Sequence, residues 1–217
     1  MFYELLKRTH LFCNLTKNEL DDALLYLSAK RLSYKKGETL IKLGSRITVF
    51  GIVLKGFVSV CSDDLNGNQM IMATVLKGEM FSESLAITNN SYSPVYAVAG
   101  EDTDILWLSA TPIRENRPKT DLEAKIIRNF MSAVAQKCLS MNDRIQILSK
   151  KTIREKVIQY LSLLSSNGSK TEVITPLSRQ DMASYLGVER SALSRELSNM
   201  QRDGIIEISK QKFKILH

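Results

Sequence analysis

Apolar positions along the chain keep different periods in turn, and each period predicts a different kind of element. Residues 2–30 read as short helices, with Thr16 or Asn18 able to cap a run whose Leu20, Ala23, Leu24 and Leu27 fall at helical spacing. From Arg31 to Leu108 the texture becomes short β-type runs: Thr39–Leu43, Val49–Leu54, Phe57–Cys61, Met70–Val75, Val95–Ala99 and Ile105–Leu108. Gly37, Gly44, Gly56, Asn66-Gly67 and Gly78 punctuate them, and Asn-Gly between alternating segments signals a hairpin because both residues tolerate positive φ. Many short strands at this spacing predict an antiparallel barrel or jelly roll. Pro112 and Pro118 break the pattern over Thr111–Pro118.

A long helix is predicted next, from about Thr120 to Ser149. Its stripe of Ile127, Met131, Val134, Cys138, Met141, Ile145 and Leu148 steps alternately by four and three, an unbroken heptad. A strict 3.5-residue period specifies a coiled-coil seam between two copies rather than an ordinary buried helix. Thr152 with Glu155 then forms a capping-box pattern before a helix whose face is Ile153, Val157, Ile158, Leu161 and Leu164, ending near Asn167-Gly168.

After a β-type stretch at Val173–Thr175, residues Ser178–Met200 read as helix, tight turn, helix. Ser178 caps the first helix, Met182, Ala183 and Leu186 face inward, and Gly187 supplies the left-handed residue of the turn. Val188 packs the turn, and Glu189 or Ser191 opens a second helix with Leu193, Leu197 and Met200 inside. Small Ala183 sits where two steeply crossing helices come close, as a helix-turn-helix requires. The outer face of the second helix carries Arg190, Ser191, Ser194 and Arg195; arginine can fork two hydrogen bonds onto guanine. Asp203-Gly204 turns the chain into Ile205–Ser209 and Lys212–Leu216, a two-strand wing whose Lys210, Lys212 and Lys214 suit phosphate contact. Ser178 and Arg179, at the start of the first helix, join the candidate DNA-binding set.

Charge sharpens this picture. The 217 residues carry a net +7, yet residues 1–117 hold 13 basic and 13 acidic side chains, so the excess lies wholly in residues 118–217. Confinement to one half points to a polyanion, since each neutralised phosphate releases counterions; a solvated basic helix face is the alternative.

With these residues in view, the chain resembles the CRP/FNR family of bacterial regulators. The run KGETLIKLGS…VFGIVLKGFVSVCSDDLNGNQMIMATVLKGEMFSES resembles the family's β-roll, and LSRQDMASYLGVERSALSRELSNMQRDGII its helix-turn-helix. The resemblance implies an α+β fold: an N-terminal sensor β-roll (1–117), a dimerisation helix (118–149) and a C-terminal winged helix-turn-helix (150–217). It implies a homodimer on a near-palindromic operator, with RNA polymerase as a partner if the protein activates. Arg195 matches the family's guanine-reading arginine, Ser194 a serine of the oxygen-sensing branch, and Arg190 an operator-contacting position. Ser191 departs from the glutamate that many members use to accept from cytosine, so the family's known half-sites are not carried over.

The sensor half argues against several effectors. By resemblance, Glu79 matches a ribose-holding glutamate, but Ser93 falls where cyclic-nucleotide binders place a phosphate-holding arginine. No Lys or Arg lies between Gly78 and Ile113, and burying a phosphate without a cation costs several kcal/mol. Glu79 has a second reading, as the cap of a short helix starting at Ser82. Glu79, Ser82 and Ser93 with Met141 and Asn142 of the dimer helix outline a pocket for an unidentified small effector other than cyclic AMP. Cys13, Cys61 and Cys138 are too few for a four-thiolate iron–sulfur cluster and form no disulfide framework. The two histidines, His10 and His217, make haem ligation a poor fit, so no cofactor or metal is expected. Cys138 is either a small buried seam residue or a thiol switch between copies, and an effector-independent dimer is the remaining alternative. No phosphate-gripping loop or nucleophile–histidine pattern argues for an enzyme. The chain shows no signal-peptide pattern and no membrane-length apolar run, giving an expectation of a cytoplasmic protein.

Overall fold

The structure, a computed structural model, describes residues 2–63, 69–88, 92–165, 172–175 and 177–216. In chain order its elements are α1 (Phe2–Lys7), α2 (Lys17–Tyr26), β1 (Lys30–Tyr34), β2 (Thr39–Ile41), β3 (Val49–Lys55), β4 (Val58–Asp63), β5 (Gln69–Val75) and β6 (Met80–Phe81). There follow α3 (Glu83–Ile87), β7 (Tyr96–Ala99), β8 (Thr103–Ser109), α4 (Thr111–Glu115) and the long α5 (Asp121–Leu148). The chain ends with α6 (Ile153–Ser165), β9 (Glu172–Ile174), α7 (Arg179–Leu186), α8 (Arg190–Arg202), β10 (Ile206–Ser209) and β11 (Lys212–Ile215). It divides into two compact units, 1–135 and 136–217, and the division falls inside α5.

In the first unit two antiparallel four-stranded sheets, ordered β1-β8-β3-β6 and β2-β7-β4-β5, form the expected roll. Its core takes Phe50, Ile52, Val53, Phe81, Ile105, Leu106 and Leu108 from the strands and Leu6, Leu11, Phe12 and Leu20 from α1, α2 and their link. The start of α5 closes this core with Ile126 and Phe130, the latter ring 5.3 Å from Phe50. Asn129 donates to the Leu11 and Cys13 carbonyls at 3.0 and 3.3 Å, fixing the same turn of helix from its polar side. The capping box on α2 uses Thr16 and Glu19.

Three local expectations are corrected. The break at Thr111–Pro118 contains a helical turn, α4, because proline fits the first turn of a helix, where its missing N–H costs nothing. Of the heptad stripe, Ile127 is buried (7% exposed) and Val134 packs on the roll core, because the helix lies on the roll with more than one row of side chains. The stripe that remains open is Met131, Cys138, Met141, Ile145 and Leu148, with Leu139 beside it. Cys138 is therefore exposed within the protomer, not buried. The Asn66-Gly67 hairpin and the Asn167-Gly168 helix end lie outside the described residues.

In the second unit β10, β11 and β9 form an antiparallel sheet ordered β10-β11-β9, one strand more than the predicted two-strand wing. Val157, Tyr160 and Leu161 of α6, Met182, Ala183 and Leu186 of α7, and Leu193, Leu197 and Met200 of α8 pack with Ile206 and Phe213. Ile147, at the end of α5, is fully buried in this core. The Tyr160 and Thr175 hydroxyls share a buried 2.6 Å hydrogen bond that ties α6 to the end of β9.

Gly51 on β3 is a close-approach position: a Cβ there would stand 2.4 Å from the Phe81 ring and 3.0 Å from Ile105. Phe81 in turn meets Trp107, the single tryptophan, edge-on at 5.3 Å. Gly51→Ala is therefore expected to destabilise the roll by about 1–3 kcal/mol, the usual cost of overpacking. Denaturant unfolding followed by Trp107 fluorescence measures it, and an unchanged midpoint would contradict the packing described.

Candidate nucleic-acid interface

In the second unit the caps and the turn that set α7 and α8 are local in sequence, while Arg154 and Lys156 reach those helices from α6. Thr152 accepts from the Glu155 N–H at 3.1 Å while the Glu155 carboxylate accepts from the Thr152 N–H at 3.0 Å, completing the capping box that starts α6. These bonds hold the Glu155 carboxyl below its ordinary range. Ser178 caps α7, accepting from the Asp181 N–H at 3.2 Å. Gly187 ends α7 at φ +62°, and the Val188 N–H returns to the Ala183 carbonyl at 3.0 Å. A Cβ on Gly187 would sit 2.9 Å from Leu148, so both backbone and space require glycine in this turn.

Glu189, not Ser191, caps α8. Its carboxylate accepts from the Ser191 and Ala192 N–H groups, each at 2.9 Å, and from the Ser191 hydroxyl. The Ser191 hydroxyl and the two amides, with a smaller contribution from the nearby Arg195 charge, push the Glu189 pKa down to about 2. Arg154 of α6 donates to Glu196 at 2.6 Å and to Asp203 at 2.7 Å, bracketing α8 near its middle and at its C-cap. Lys156 covers the end of α7 by donating to the Leu186 carbonyl at 3.1 Å.

With Leu193, Leu197 and Met200 turned inward, Arg190, Ser191, Ser194 and Arg195 stand exposed on one face of α8. Among the described residues, Arg190 and Arg195 carry no hydrogen bond or ion pair, unlike Arg154 beneath them. An open cleft of about 490 Å³ runs from Thr152 and Ile153, at the start of α6, to Arg195 and Asn199 on α8. Sequence reasoning missed this neighbourhood: Thr152 and Ile153 at the α6 N-terminus line the cleft with Ala192 and Arg195 of α8, and the capping box at Thr152 was the only signal of it. A helix N-terminus favours negative charge, so a phosphate fits there.

The remaining predicted residues divide. Arg179 lies 4.8 Å over the Phe213 ring and donates to the Lys210 carbonyl at 3.1 Å, and burial lowers its pKa. It clasps the wing tip to α7, which gives it an intramolecular role beside the predicted one. Lys212 pairs with Glu172 at 3.4 Å and Lys214 with Glu207 at 3.6 Å, exposed pairs that salt screens and a phosphate can displace. Lys210 sits at the wing turn with φ +56°.

In the roll, the proposed effector residues are engaged locally. The exposed Glu79 carboxylate accepts from the Leu76 N–H at 2.7 Å; it closes its own turn and does not cap α3. α3 begins after Ser82, which adopts φ +60°, makes no side-chain cap and donates to the Val49 carbonyl at 3.2 Å. Ser93 is buried, its hydroxyl donating to the Val95 carbonyl at 2.6 Å. Among the described residues the carboxylate that the roll does bury is Glu83, 1% exposed, a residue the sequence reading passed over. Met141 and Asn142 are exposed on the part of α5 that belongs to the second unit. Among the described residues no group of histidine, cysteine and carboxylate side chains is placed to hold a metal, and no helix is long and apolar enough to cross a membrane.

Two family models match the chain: a cyclic nucleotide-binding domain over residues 31–115 and a Crp-like helix-turn-helix domain over residues 155–217. The transcriptional activator protein FnrA of Stutzerimonas stutzeri is 26% identical, the match covering 90% of this chain and 80% of that one. The cyclic AMP receptor protein of Thermus thermophilus is 24% identical over 94% of this chain and 90% of its own. The crystal structure of the Thermus thermophilus catabolite activator protein is similar at a TM-score of 0.51 and 23% identity, covering 95% of this chain and 93% of that one.

The cap on α8 has a pH signature. Because folding lowers the Glu189 pKa from 4.5 to about 2, its contribution is complete above pH 4.5 and is lost as pH falls towards 2. Thermal melts of the second unit are expected to lose stability through that window in the parent and to lose less in Glu189→Gln. Identical pH profiles would contradict the assignment.

Proposed function

From the premise that the chain belongs to the CRP/FNR family of transcription regulators, we propose that it reads a near-palindromic operator as a homodimer, with α8 of each copy in the major groove. The observation that carries this reading is the exposed Arg190–Arg195 face, which keeps two guanidiniums without a hydrogen-bond or ion-pair partner among the described residues on a helix braced from behind. Guanidinium groups left open in this way suit bidentate contact with guanine, and Lys210, Lys212 and the α6 N-terminus suit the flanking phosphates.

Homodimerisation rests on the open stripe of α5, where Met131, Met141 and Ile145 are each about three-fifths exposed. A large apolar stripe left open on a helix finds its natural cover in a second copy. Two recognition helices would then engage half-sites about 34 Å apart, one turn of B-DNA. The effector is a small neutral or apolar molecule rather than a cyclic nucleotide. Supporting this, residues 79–112 contain no Lys or Arg, and Ser93, at the would-be phosphate position, already spends its hydroxyl on Val95. Contact with RNA polymerase follows if the protein activates.

Selection of duplexes from a random pool tests the reading. The parent should enrich a two-half-site sequence, and Arg195→Ala should lose about 1–3 kcal/mol with discrimination relaxed at one base pair per half-site. Enrichment of no sequence would contradict it. At the seam, Ile145→Glu should shift the protein towards monomer in sedimentation and weaken binding to the two-half-site duplex at least tenfold. An unchanged oligomeric state would remove α5 from the interface.

A further inference from the structure

A serine at the start of a recognition helix is ordinarily ambiguous, because its hydroxyl can donate to a base or accept from one. In this chain the ambiguity is removed. Ser191 has a single hydroxyl proton, and it is given to Glu189, whose carboxylate also takes the Ser191 and Ala192 N–H groups at 2.9 Å. Three convergent donors hold that carboxylate in place, and it has no proton of its own to return. Its depressed pKa keeps it ionised at any neutral pH, so the shared proton stays on the serine side. The outward side of Ser191, which is exposed, therefore offers lone pairs only.

We propose that Glu189 makes Ser191 an obligate hydrogen-bond acceptor, so that the second residue of α8 selects a base carrying an exocyclic amino group. In the major groove only cytosine N4 and adenine N6 present such donors, whereas guanine O6 and N7 and thymine O4 are acceptors. A guanine or thymine set against Ser191 would meet lone pair with lone pair, with the Glu189 charge behind. The clamp thus acts by exclusion as much as by attraction, as specific interfaces commonly do. Glu189 is a positioning residue in this scheme and Ser191 the one that meets the base. The inference rests on the reading that α8 enters the major groove.

The test uses the full-length protein and a library in which each half-site position is varied in turn. The parent should prefer cytosine or adenine at one position, and Ser191→Ala should lose that preference by roughly three- to tenfold, the size of one net hydrogen bond, leaving other positions alone. Replacing the preferred base by its analogue lacking the amino group should cost the parent a similar factor and Ser191→Ala nothing more. Glu189→Ser retains a helix-capping oxygen but releases the Ser191 proton, so it should admit guanine or thymine at that position. Three results would overturn the clamp alone: Ser191→Ala changing no position, the parent favouring guanine or thymine at the position it changes, or Glu189→Ser leaving the preference intact. Enrichment of no sequence by the parent would overturn the regulator reading and the clamp with it.

Discussion

The burial of one apolar row of α8 governs what the second unit can do. Leu193, Leu197 and Met200 are almost fully enclosed by α6, α7 and the three-stranded sheet, so the helix cannot roll without exposing them. At about 25 cal/mol per Å² of apolar surface, such side chains hold more free energy than any surface contact of the same helix. Once that row is inside, Arg190, Ser191, Ser194 and Arg195 are outside. Arg154, Glu189 and Gly187 then refine the pose by bracing the back of the helix, capping its start and setting the turn before it.

The long helix obeys the same principle with a different outcome. Ile126, Ile127 and Phe130 find cover within the first unit, and Ile147 finds it within the second, while the stripe between them stays open. The helix thus supplies both cores and still leaves Met131, Met141 and Ile145 exposed. In the roll the polar groups near β6 and β7 are largely spent on backbone partners: Glu79 on Leu76, Ser82 on Val49, Ser93 on Val95.

Legibility in the sequence followed the strength of local signals. The helix-turn-helix was readable residue by residue because Ser178, Gly187 and the spacing of Leu193, Leu197 and Met200 are each dictated by local geometry. Strand β1 was not, since Lys30–Tyr34 is almost wholly exposed and shows no alternation; its place is set by pairing with β8, a long-range contact. The heptad period could not say which positions the roll takes: Ile127 is buried and Val134 packs against the roll core. Glu79 drew attention by resemblance, yet among the described residues Glu83 is the carboxylate that the fold buries, four positions on and just after the left-handed backbone of Ser82. Arg179 looked like another phosphate ligand because nothing in its neighbourhood reveals that Phe213, more than thirty residues on, lies beneath it.

Whether the α8 face distinguishes one DNA sequence from another is read from the ratio of two affinities. The full-length protein would be titrated against its selected duplex and against a scrambled duplex of equal composition, at one near-physiological salt concentration. A preference of at least about a thousandfold for the selected duplex is expected if α8 reads sequence. Equal affinities for the two duplexes, both set by salt alone, would mean that the basic half merely binds polyanions and that α8 reads nothing.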